Sequence, residues 1–397
     1  MAGEPVRITR IRITKLFRTH DVDIPLNQGD RVTILHGKNG VGKTITLSLV
    51  NALVHPDVPG SKELLIGVPR DRVELTLSNG DVLTLTQTAK RLEVTRMSTD
   101  GSRRDATLEP VDGGWLISPM LQDIAADLRV AFIPTRRLTE VEGSLALRMS
   151  GAANSILFSR HEDIPGREVV SKVARDMAAL GQRVDRAYRQ ISTQLDDTLP
   201  TRLFSEAKPT KATRASLKGR LAALEHERER LRRVGLLADA PQPFAPDKLG
   251  PSELRMLAVV LDDTERKLAV FKDLADRAEI AVDILSRKFA PKAVKIDLKY
   301  GYEILSSDGE RLNPDLLSSG EQHELVLLHH LLFNIEPGTL VMIDEPELSL
   351  HPSWQTEFLS DMLRVTRMAD FDLLMATHSP YIVGSRRDLL VQLGAPE

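Results

Sequence analysis

The sequence predicts an α/β fold in which a parallel core sheet and an antiparallel β subdomain are interrupted by a helical insert. Short apolar runs that end in polar residues are typical of buried parallel strands. Alternating segments separated by Asn-Gly or Asp-Gly are typical of β-hairpins. Roughly 140 residues in the middle of the chain lack strand signals and repeat leucine at helical spacing.

A glycine-rich segment, ILHGKNGVGKTITL, occupies residues 34–47, and four residues separate Gly37 from Gly42, Lys43 and Thr44. A strand-like run precedes the glycines and a helix-forming run follows them, as a phosphate-binding loop requires. Backbone N–H groups can turn inward around an anion only where side chains are absent, and a helix N-terminus adds its positive dipole. A glycine-rich turn without a ligand is the alternative.

We therefore predict that this loop holds the phosphates of ATP. Lys43 would reach the β and γ phosphates, and Thr44 would place its hydroxyl on Mg2+. The predicted nucleotide-binding residues of the loop are Gly37, Asn39, Gly40, Gly42, Lys43 and Thr44.

The antiparallel subdomain is predicted from three segments. Residues 9–26 read as a hairpin-like edge. Residues 73–77 and 82–86 alternate across Asn79-Gly80, and residues 92–108 form a further hairpin across Asp100-Gly101. The first third of the chain is thus predicted to combine core strands with an antiparallel flap.

Three apolar runs, residues 130–133, 340–343 and 371–375, predict buried parallel strands. Ligands of open α/β sheets lie at the carboxyl ends of such strands. The second run ends in Asp344 and Glu345. We predict that Asp344 holds Mg2+ together with Thr44 and that Glu345 is the base toward the attacking water. A surface turn is the alternative for an acid pair taken alone.

The middle of the chain predicts an antiparallel helical hairpin. Leucines step by three and four residues over 217–231 and again over 254–285, and prolines within 238–252 break the helix between them. The first arm would be about 33 Å long. An ordinary helical subdomain packed on the neighbouring lobes is the alternative.

The block 202–233 holds ten Lys or Arg and four Glu. Its basic residues could bind the phosphates of a nucleic acid, or they could pair with the glutamates on the same helix.

Composition excludes several classes of site. The chain has 397 residues, 42% hydrophobic and 27% charged, with a net charge of −3, as in an ordinary globular protein. It has no cysteine, which excludes disulfides, thiolate zinc sites and cysteine nucleophiles. Because we find neither an 18-residue apolar run nor a signal-peptide pattern, we expect a cytoplasmic protein without a membrane partner.

Three further motifs follow in order: LSSGEQ at 317–322, IDEPELSLHP at 343–352 and ATHSP at 376–380. With the phosphate loop, they resemble the ABC-type ATPases of the SMC, RecF and OLD group, over residues 1 to about 150 and about 293 to 397. The resemblance implies an ABC-type head with a RecA-like core. Its parts would be an N-terminal lobe at 1–150 with Walker A and the flap, a helical insert at 151–292 with a short coiled-coil-like hairpin, and a C-terminal lobe at 293–397 with signature, Walker B and switch histidine.

The resemblance also implies a Mg2+-dependent ATPase that forms a head-to-head dimer, with a higher oligomer as a further option. Two ATP molecules would lie between the phosphate loop of one subunit and Ser318, Ser319 and Gly320 of the other, and His378 would contact the γ-phosphate. Taken alone, Ser318 would be a helix N-cap and His378 a core histidine. The glutamine loop of the family is missing, and Thr135 or Arg136 would replace it; structural ion pairing of Arg136 and Arg137 is the alternative.

Two biological roles remain open. One is the sensor and switch subunit of a multi-protein anti-phage defence system, similar to the ATPase subunits of Septu or PARIS, which controls a separate effector such as a nuclease or toxin. The other is a RecF-like ATPase of DNA repair or recombination that clamps DNA, which would make DNA or RNA a partner. Since OLD nucleases continue into a nuclease domain and only 19 residues follow His378, we expect the effector to be separate.

Overall fold

The computed structural model describes residues 4–87, 91–111, 114–117, 123–134, 145–146, 157–158, 166–205, 213–237 and 250–394. By packing, the chain forms two compact units. The first unit is Met1–Ile164 with His330–Glu397, and the second is Pro165–His329. The second unit thus takes residues 293–329 together with the helical segment, and the three-part division of the sequence stays a prediction.

The described residues form strands and α-helices, together with short 3-10 and π-helical segments. The strands are β1 Ile8–Leu16, β2 His20–Pro25, β3 Val32–His36, β4 Arg72–Leu77, β5 Val82–Gln87, β6 Leu92–Met97, β7 Arg103–Val111, β8 Gly114–Ile117, β9 Val130–Ile133, β10 Leu145–Ala146, β11 Leu157–Phe158, β12 Ala293–Asp297, β13 Gly301–Leu305, β14 Arg311–Leu312, β15 Leu340–Asp344, β16 Asp372–Ala376 and β17 Leu390–Gln392. The α-helices are α1 Lys43–Val54, α2 Ser61–Gly67, α3 Gly166–Ser205, α4 Arg214–Arg233, α5 Pro251–Ala269, α6 Lys272–Lys288, α7 Ser319–His329, α8 Pro352–Ala369 and α9 Pro380–Val383. The short 3-10 segments are Pro314–Leu316, Pro346–Ser349 and Arg387–Leu389, and His330–Asn334 is π-helical.

The antiparallel sheet of the first unit has the strand order β2-β1-β4-β5-β6-β7-β8. The three predicted hairpins are confirmed, with β1 paired to β2, β4 to β5 and β6 to β7. Alternate side chains are buried, as Val73, Leu75 and Leu77 on β4 illustrate. One face of this sheet therefore contributes to the core. The alternation of apolar and polar residues along each strand was enough to predict these hairpins.

The parallel sheet of the first unit has the order β17-β3-β16-β15-β9, and every neighbouring pair is parallel. All residues of β15 and β16 are buried, which explains why these strands read as continuous apolar runs. The three predicted core strands are confirmed. The carboxyl ends of β3, β15 and β16 lie at the same edge of the sheet, where the loops that follow them can meet.

The second unit contains α3 to α7 and the antiparallel strands β12, β13 and β14. The 40-residue helix α3 packs against β13, α5 and α7. Of the described helices, none is long and apolar enough to cross a membrane.

The stretch predicted as wholly helical from about residue 150 also contains β11, whose two residues pair with β10, so that part of the prediction was wrong. A two-residue strand is too short to produce a period.

The predicted helical hairpin is present in part. Leu217, Leu224 and Leu231 are buried on one face of α4, and α4 packs against α5. The predicted longer arm is two helices, because the chain turns between Ala269 and Lys272. At this turn Phe271 is 1% exposed and its ring centroid lies 5.2 Å from that of Tyr188 on α3. The apolar spacing continues through the turn, since Leu268, Phe271 and Ala275 are all buried, so it did not mark the break between the two helices.

Five of the seven arginines in the basic block contact carboxylates of the same unit. Three of them, Arg202, Arg220 and Arg230, contact acids on the helices α5 and α6. The structure therefore favours the self-paired alternative over a free basic surface. The pairs are Arg202 with Asp263, Arg220 with Asp262 and Glu265, Arg228 with Glu225, Arg230 with Glu227, Asp276 and Glu279, and Arg232 with Glu225 and Glu229.

Packing between α3 and β13 depends on a glycine. At Gly301 φ is 80°, and an added Cβ would overlap the carbonyl oxygen of Ala174 on α3. Gly309 has a φ of 82°, but no heavy atom lies within 4 Å of its added Cβ. We expect Gly301→Ala to lower the free energy of unfolding by about 2–4 kcal/mol, through strain and overlap together. Gly309→Ala should cost only about 1 kcal/mol, because an alanine there has the strained positive φ but no steric overlap.

Urea unfolding followed by circular dichroism measures the difference between these two glycine variants. Equal shifts of the unfolding midpoint would contradict the role of Ala174 in this packing.

Candidate functional site

The glycine-rich loop lies between β3 and α1, in the order of strand, loop and helix that the sequence predicts. Gly42 precedes the helix with a φ of 95°, which L side chains rarely adopt. A Cβ at Gly37 would lie 2.8 Å from the carbonyl oxygen of Leu393. Asn39 and Gly40 are exposed. The loop leads into the positive end of a 12-residue helix, where an anion is stabilised.

Lys43 is the first residue of that helix and is 6% exposed. Its ammonium group donates to the carbonyl oxygens of Gly37 at 2.6 Å and Lys38 at 3.2 Å. Burial lowers the pKa of Lys43, while the carboxylates of Glu345, Asp344 and Glu347 oppose the shift. The lysine therefore bends over its own loop, and phosphate oxygens could replace the two carbonyls as its acceptors.

Thr44 and Asp344 meet although 300 residues separate them: the threonine hydroxyl donates to Oδ2 of the aspartate at 2.8 Å. Asp344 ends β15 and is 2% exposed, whereas Thr44 is exposed. A hydroxyl and a carboxylate are oxygen ligands of the kind Mg2+ prefers, and nucleotide sites complete its shell with phosphates and water. Among the described residues no cluster of three or more His, Cys, Asp or Glu could hold a metal. The Thr44 hydroxyl and the Asp344 carboxylate fit a Mg2+ ion whose other ligands are phosphate and water oxygens.

Glu345 follows Asp344 in a left-handed conformation, with a φ of 45°. Such a backbone is strained for a residue with a side chain, and strain of this kind is common at functional sites. The amide of Glu345 donates to the carbonyl oxygen of Ala376 at 2.8 Å. Its Oε1 lies 2.7 Å from Nε2 of His378. The two residues thus contact each other directly at the end of the sheet.

His378 lies between Lys43 and Glu345. Its Nδ1 is 3.3 Å from the Lys43 ammonium nitrogen. An ammonium group can only donate, so Nδ1 accepts, and Nε2 then carries the proton that is donated to Glu345. The two contacts are therefore satisfied by the tautomer that carries its proton on Nε2.

Two residues that the sequence analysis did not single out support this site. The carbonyl oxygen of Val41 accepts a hydrogen bond from Nε2 of His20 at 3.0 Å. Glu347 accepts hydrogen bonds from Thr377 and from the backbone of His378. Glu347 was visible within the motif at 343–352, whereas no pattern marked His20.

The signature residues lie in the second unit. Ser318 precedes α7, and Ser319 and Gly320 form its first turn. The amide of Ser318 donates to Oε2 of Glu321 at 2.8 Å, and the amide of Glu321 donates to the Ser318 hydroxyl oxygen at 3.3 Å, which together form a capping box. Burial raises the pKa of Glu321, but hydrogen bonds from Lys292 and Ser318 outweigh burial and hold it below the usual value.

The structure thus brings together the predicted residues of the loop, the acid pair and the histidine within the first unit. The predicted signature, Ser318 to Gly320, belongs to the other unit. Thr135 and Arg136, predicted as replacements for the glutamine loop, lie outside the described residues.

Comparison with known proteins gives one family. Residues 183–384 match the family described as "AAA domain, putative AbiEii toxin, Type IV TA system". Two curated relatives, both described as an uncharacterized ABC transporter ATP-binding protein of Mycobacterium tuberculosis, from strains CDC 1551 / Oshkosh and H37Rv, are each 35% identical over 113 residues. These residues are 28% of this chain and 42% of each relative, so the chain spans less than half the length of the relatives it matches.

Three solved structures align along nearly the whole chain. The Smc head domain of Pyrococcus furiosus bound to the C-terminal domain of ScpA is 12% identical, with a TM-score of 0.41, and 98% of this chain and 93% of that chain are covered. The SMC head domain of Thermotoga maritima is 12% identical, with a TM-score of 0.38 and coverage of 97% and 94%. The recombination mediator RecF is 12% identical, with a TM-score of 0.31 and coverage of 95% and 93%. All three scores are below 0.5, and the architecture of this protein is therefore defined by its own sheets and helices, as described above.

Proposed function

From the premise that this chain belongs to the AAA-domain family that its residues 183–384 match, we propose that it is an ATP-driven switch controlling a separate effector protein. As a member of this family, it is an ATP-binding ATPase of the AAA and ABC type. The finer proposal is a cytoplasmic sensor and switch subunit of a multi-protein anti-phage defence system, similar to the ATPase subunits of Septu or PARIS. The family description, which names a toxin of a Type IV TA system, supports such a role.

The observation that carries the ATPase chemistry is the line of contacts from Lys43 through His378 to Glu345, beside the Thr44–Asp344 pair. A phosphate-binding cation, an oxygen pair and a general base thus meet at one edge of the sheet. Such an arrangement suits hydrolysis of a phosphoanhydride, which needs charge stabilisation and an oriented water.

Each side chain has a distinct task in this proposal. Lys43 exchanges its two carbonyl acceptors for phosphate oxygens. Thr44 and Asp344 would hold Mg2+, whose charge would offset the negative charge of the phosphates. Glu345 accepts the proton of the attacking water, and His378 donates its Nε2 hydrogen to a phosphate oxygen in place of Glu345.

We also propose that two copies associate head to head when ATP is bound. Ser318, Ser319 and Gly320 at the start of α7 would then contact the nucleotide held by the other copy. The N-terminal end of α7 supports this, since its partial positive charge suits a γ-phosphate. A higher oligomer is compatible with the same contact.

The effector, a nuclease or a toxic protein, would bind the helical part of the second unit. ATP can control it only if the effector binds the two nucleotide states with different affinity. We therefore expect the protein encoded beside this chain, when co-expressed, to be retained on it in one nucleotide state and released in the other. Capture with and without Mg-ATP, followed by mass spectrometry, measures this.

Lys43→Ala is the matched control for that capture. The amount of neighbouring protein retained on this variant should not change when Mg-ATP is added. Failure of the neighbouring protein to bind in either state, or DNA degradation by the purified chain alone, would overturn the effector proposal.

A RecF-like DNA clamp is the other candidate, with DNA or RNA as partner. It has less support, because arginines of the basic block are engaged by carboxylates such as Asp263, Glu265 and Glu279. Tight DNA binding that weakens steeply with salt would favour this alternative.

A further inference from the structure

Glu347 connects the two segments that carry the acid pair and the histidine. It lies in the 3-10 segment Pro346–Ser349, directly after Glu345. Its Oε2 accepts the hydroxyl hydrogen of Thr377 at 2.8 Å, and its Oε1 accepts the backbone N–H of His378 at 2.9 Å. Both carboxylate oxygens are therefore used to hold the chain that follows β16.

Gln355 and Ser379 close these contacts into a ring. The Gln355 amide donates to the carbonyl oxygen of Glu347 at 3.3 Å and accepts from the Ser379 hydroxyl at 2.8 Å. The amide of Ser379 donates to the Thr377 hydroxyl at 2.9 Å. Thr377 is 0% exposed and Ser379 is 8% exposed, so water competes little for these groups. A closed ring of buried hydrogen bonds leaves few alternative conformations to its members.

We infer that Glu347 is a positioning residue for hydrolysis: it fixes the peptide of His378 so that the imidazole lies between Lys43 and Glu345. The ring contacts of His378 are 3.3 Å to Lys43 and 2.7 Å to Glu345, distances that a small rotation of the backbone would break. Glu347 itself holds only the backbone of His378 and the side chain of Thr377. It acts on the reaction through the histidine, and this role rests on the proposed ATPase function.

A carboxylate satisfies both donors that converge on this side chain. The Thr377 hydroxyl accepts a hydrogen bond from the Ser379 amide and donates its own hydrogen to Glu347, while the His378 amide can only donate. Glutamine offers one acceptor oxygen and an NH2 group. With its oxygen on the His378 amide, the NH2 group would face the Thr377 hydroxyl, whose own buried hydrogen would then lose its acceptor. Glu347→Gln therefore weakens the clamp with little change in volume.

The test compares ATP affinity with turnover in purified full-length variants. For Glu347→Gln we expect kcat to fall about 10- to 100-fold, as is typical when an outer partner of a functional histidine is removed. The Kd for ATP should change by less than about threefold, because the loop and Lys43 are untouched. Glu347→Asp, which keeps two acceptor oxygens, should recover part of the lost kcat. A role in stability alone would not produce this split between kcat and Kd.

Glu63→Gln on α2 is the matched control, since it removes an exposed carboxylate of the same unit and should leave kcat unchanged. Thr377→Val is a second variant in case Glu347→Gln does not fold, and it should lower kcat in the same direction. Wild-type kcat in Glu347→Gln, or equal losses in kcat and ATP affinity, would overturn the inference. An inactive wild-type protein would instead overturn the proposed function.

Discussion

Replacing Lys43 with alanine is expected to abolish ATP binding, whereas Glu345→Gln is expected to keep ATP binding and stop turnover. The lysine is the buried cation at the loop, where it donates to the carbonyl oxygen of Gly37, and in the proposed site its ammonium group would contact the phosphates of the nucleotide. The glutamate is needed only when water attacks, since an amide cannot accept the proton. Binding of a fluorescent ATP analogue and release of phosphate measure the two steps separately.

Lys38→Ala is the matched control for this pair, because it removes an exposed lysine from the same loop. It should bind ATP with nearly wild-type affinity.

The proposed head-to-head contact also requires Glu345→Gln to associate when Mg-ATP is bound. Light scattering should therefore give a higher molar mass for this variant with Mg-ATP than without it. Turnover by Glu345→Gln at the wild-type rate would remove Glu345 from the mechanism.

Loss of the buried ion pair in the second unit should have the largest effect on stability. Nζ of Lys288 and Oε1 of Glu324 lie 2.5 Å apart, and both side chains are 0% exposed. Lys288→Met would leave a carboxylate buried without its cation, which typically costs about 3–5 kcal/mol. We expect the midpoint of thermal unfolding to fall accordingly, as measured by calorimetry.

Lys292→Met is the matched control, since Lys292 pairs with Glu321 where the two side chains are 29% and 11% exposed. It should cost about 1 kcal/mol. The double variant Lys288→Met with Glu324→Leu should regain most of the lost stability, because no buried charge remains. Equal losses in the single and double variants would show that packing, and not the stranded charge, sets the cost.

The parts of the fold and site that depend on residues close together in the sequence could be predicted from the sequence alone. The strand, loop and helix around Gly42 and Lys43 are encoded by residues within one short segment. The continuous apolar runs of β15 and β16 follow from burial on both faces. Because parallel strands end at a common edge, the proximity of Asp344 to Thr44 could also be expected.

Contacts between distant residues could not be predicted in the same way. At the turn between α5 and α6, Phe271 contacts Tyr188, which lies 83 residues earlier in the sequence. The clamp made by Glu347 depends on which donors the loop after β16 presents. Neither leaves a periodic signal, since each is decided by the three-dimensional partner of a single side chain. The contact of Ser318 with a nucleotide on another copy stays a prediction.

The ion pairs of Lys288 and Lys292 join the end of the helical segment to the signature helix α7. Helix α3 packs on the same α7 and on β13, within the same compact unit. The helical segment and the turn at Ser318 therefore belong to one packed unit. An effector that binds the helical segment, as we propose, would bind the same unit that carries the signature residues.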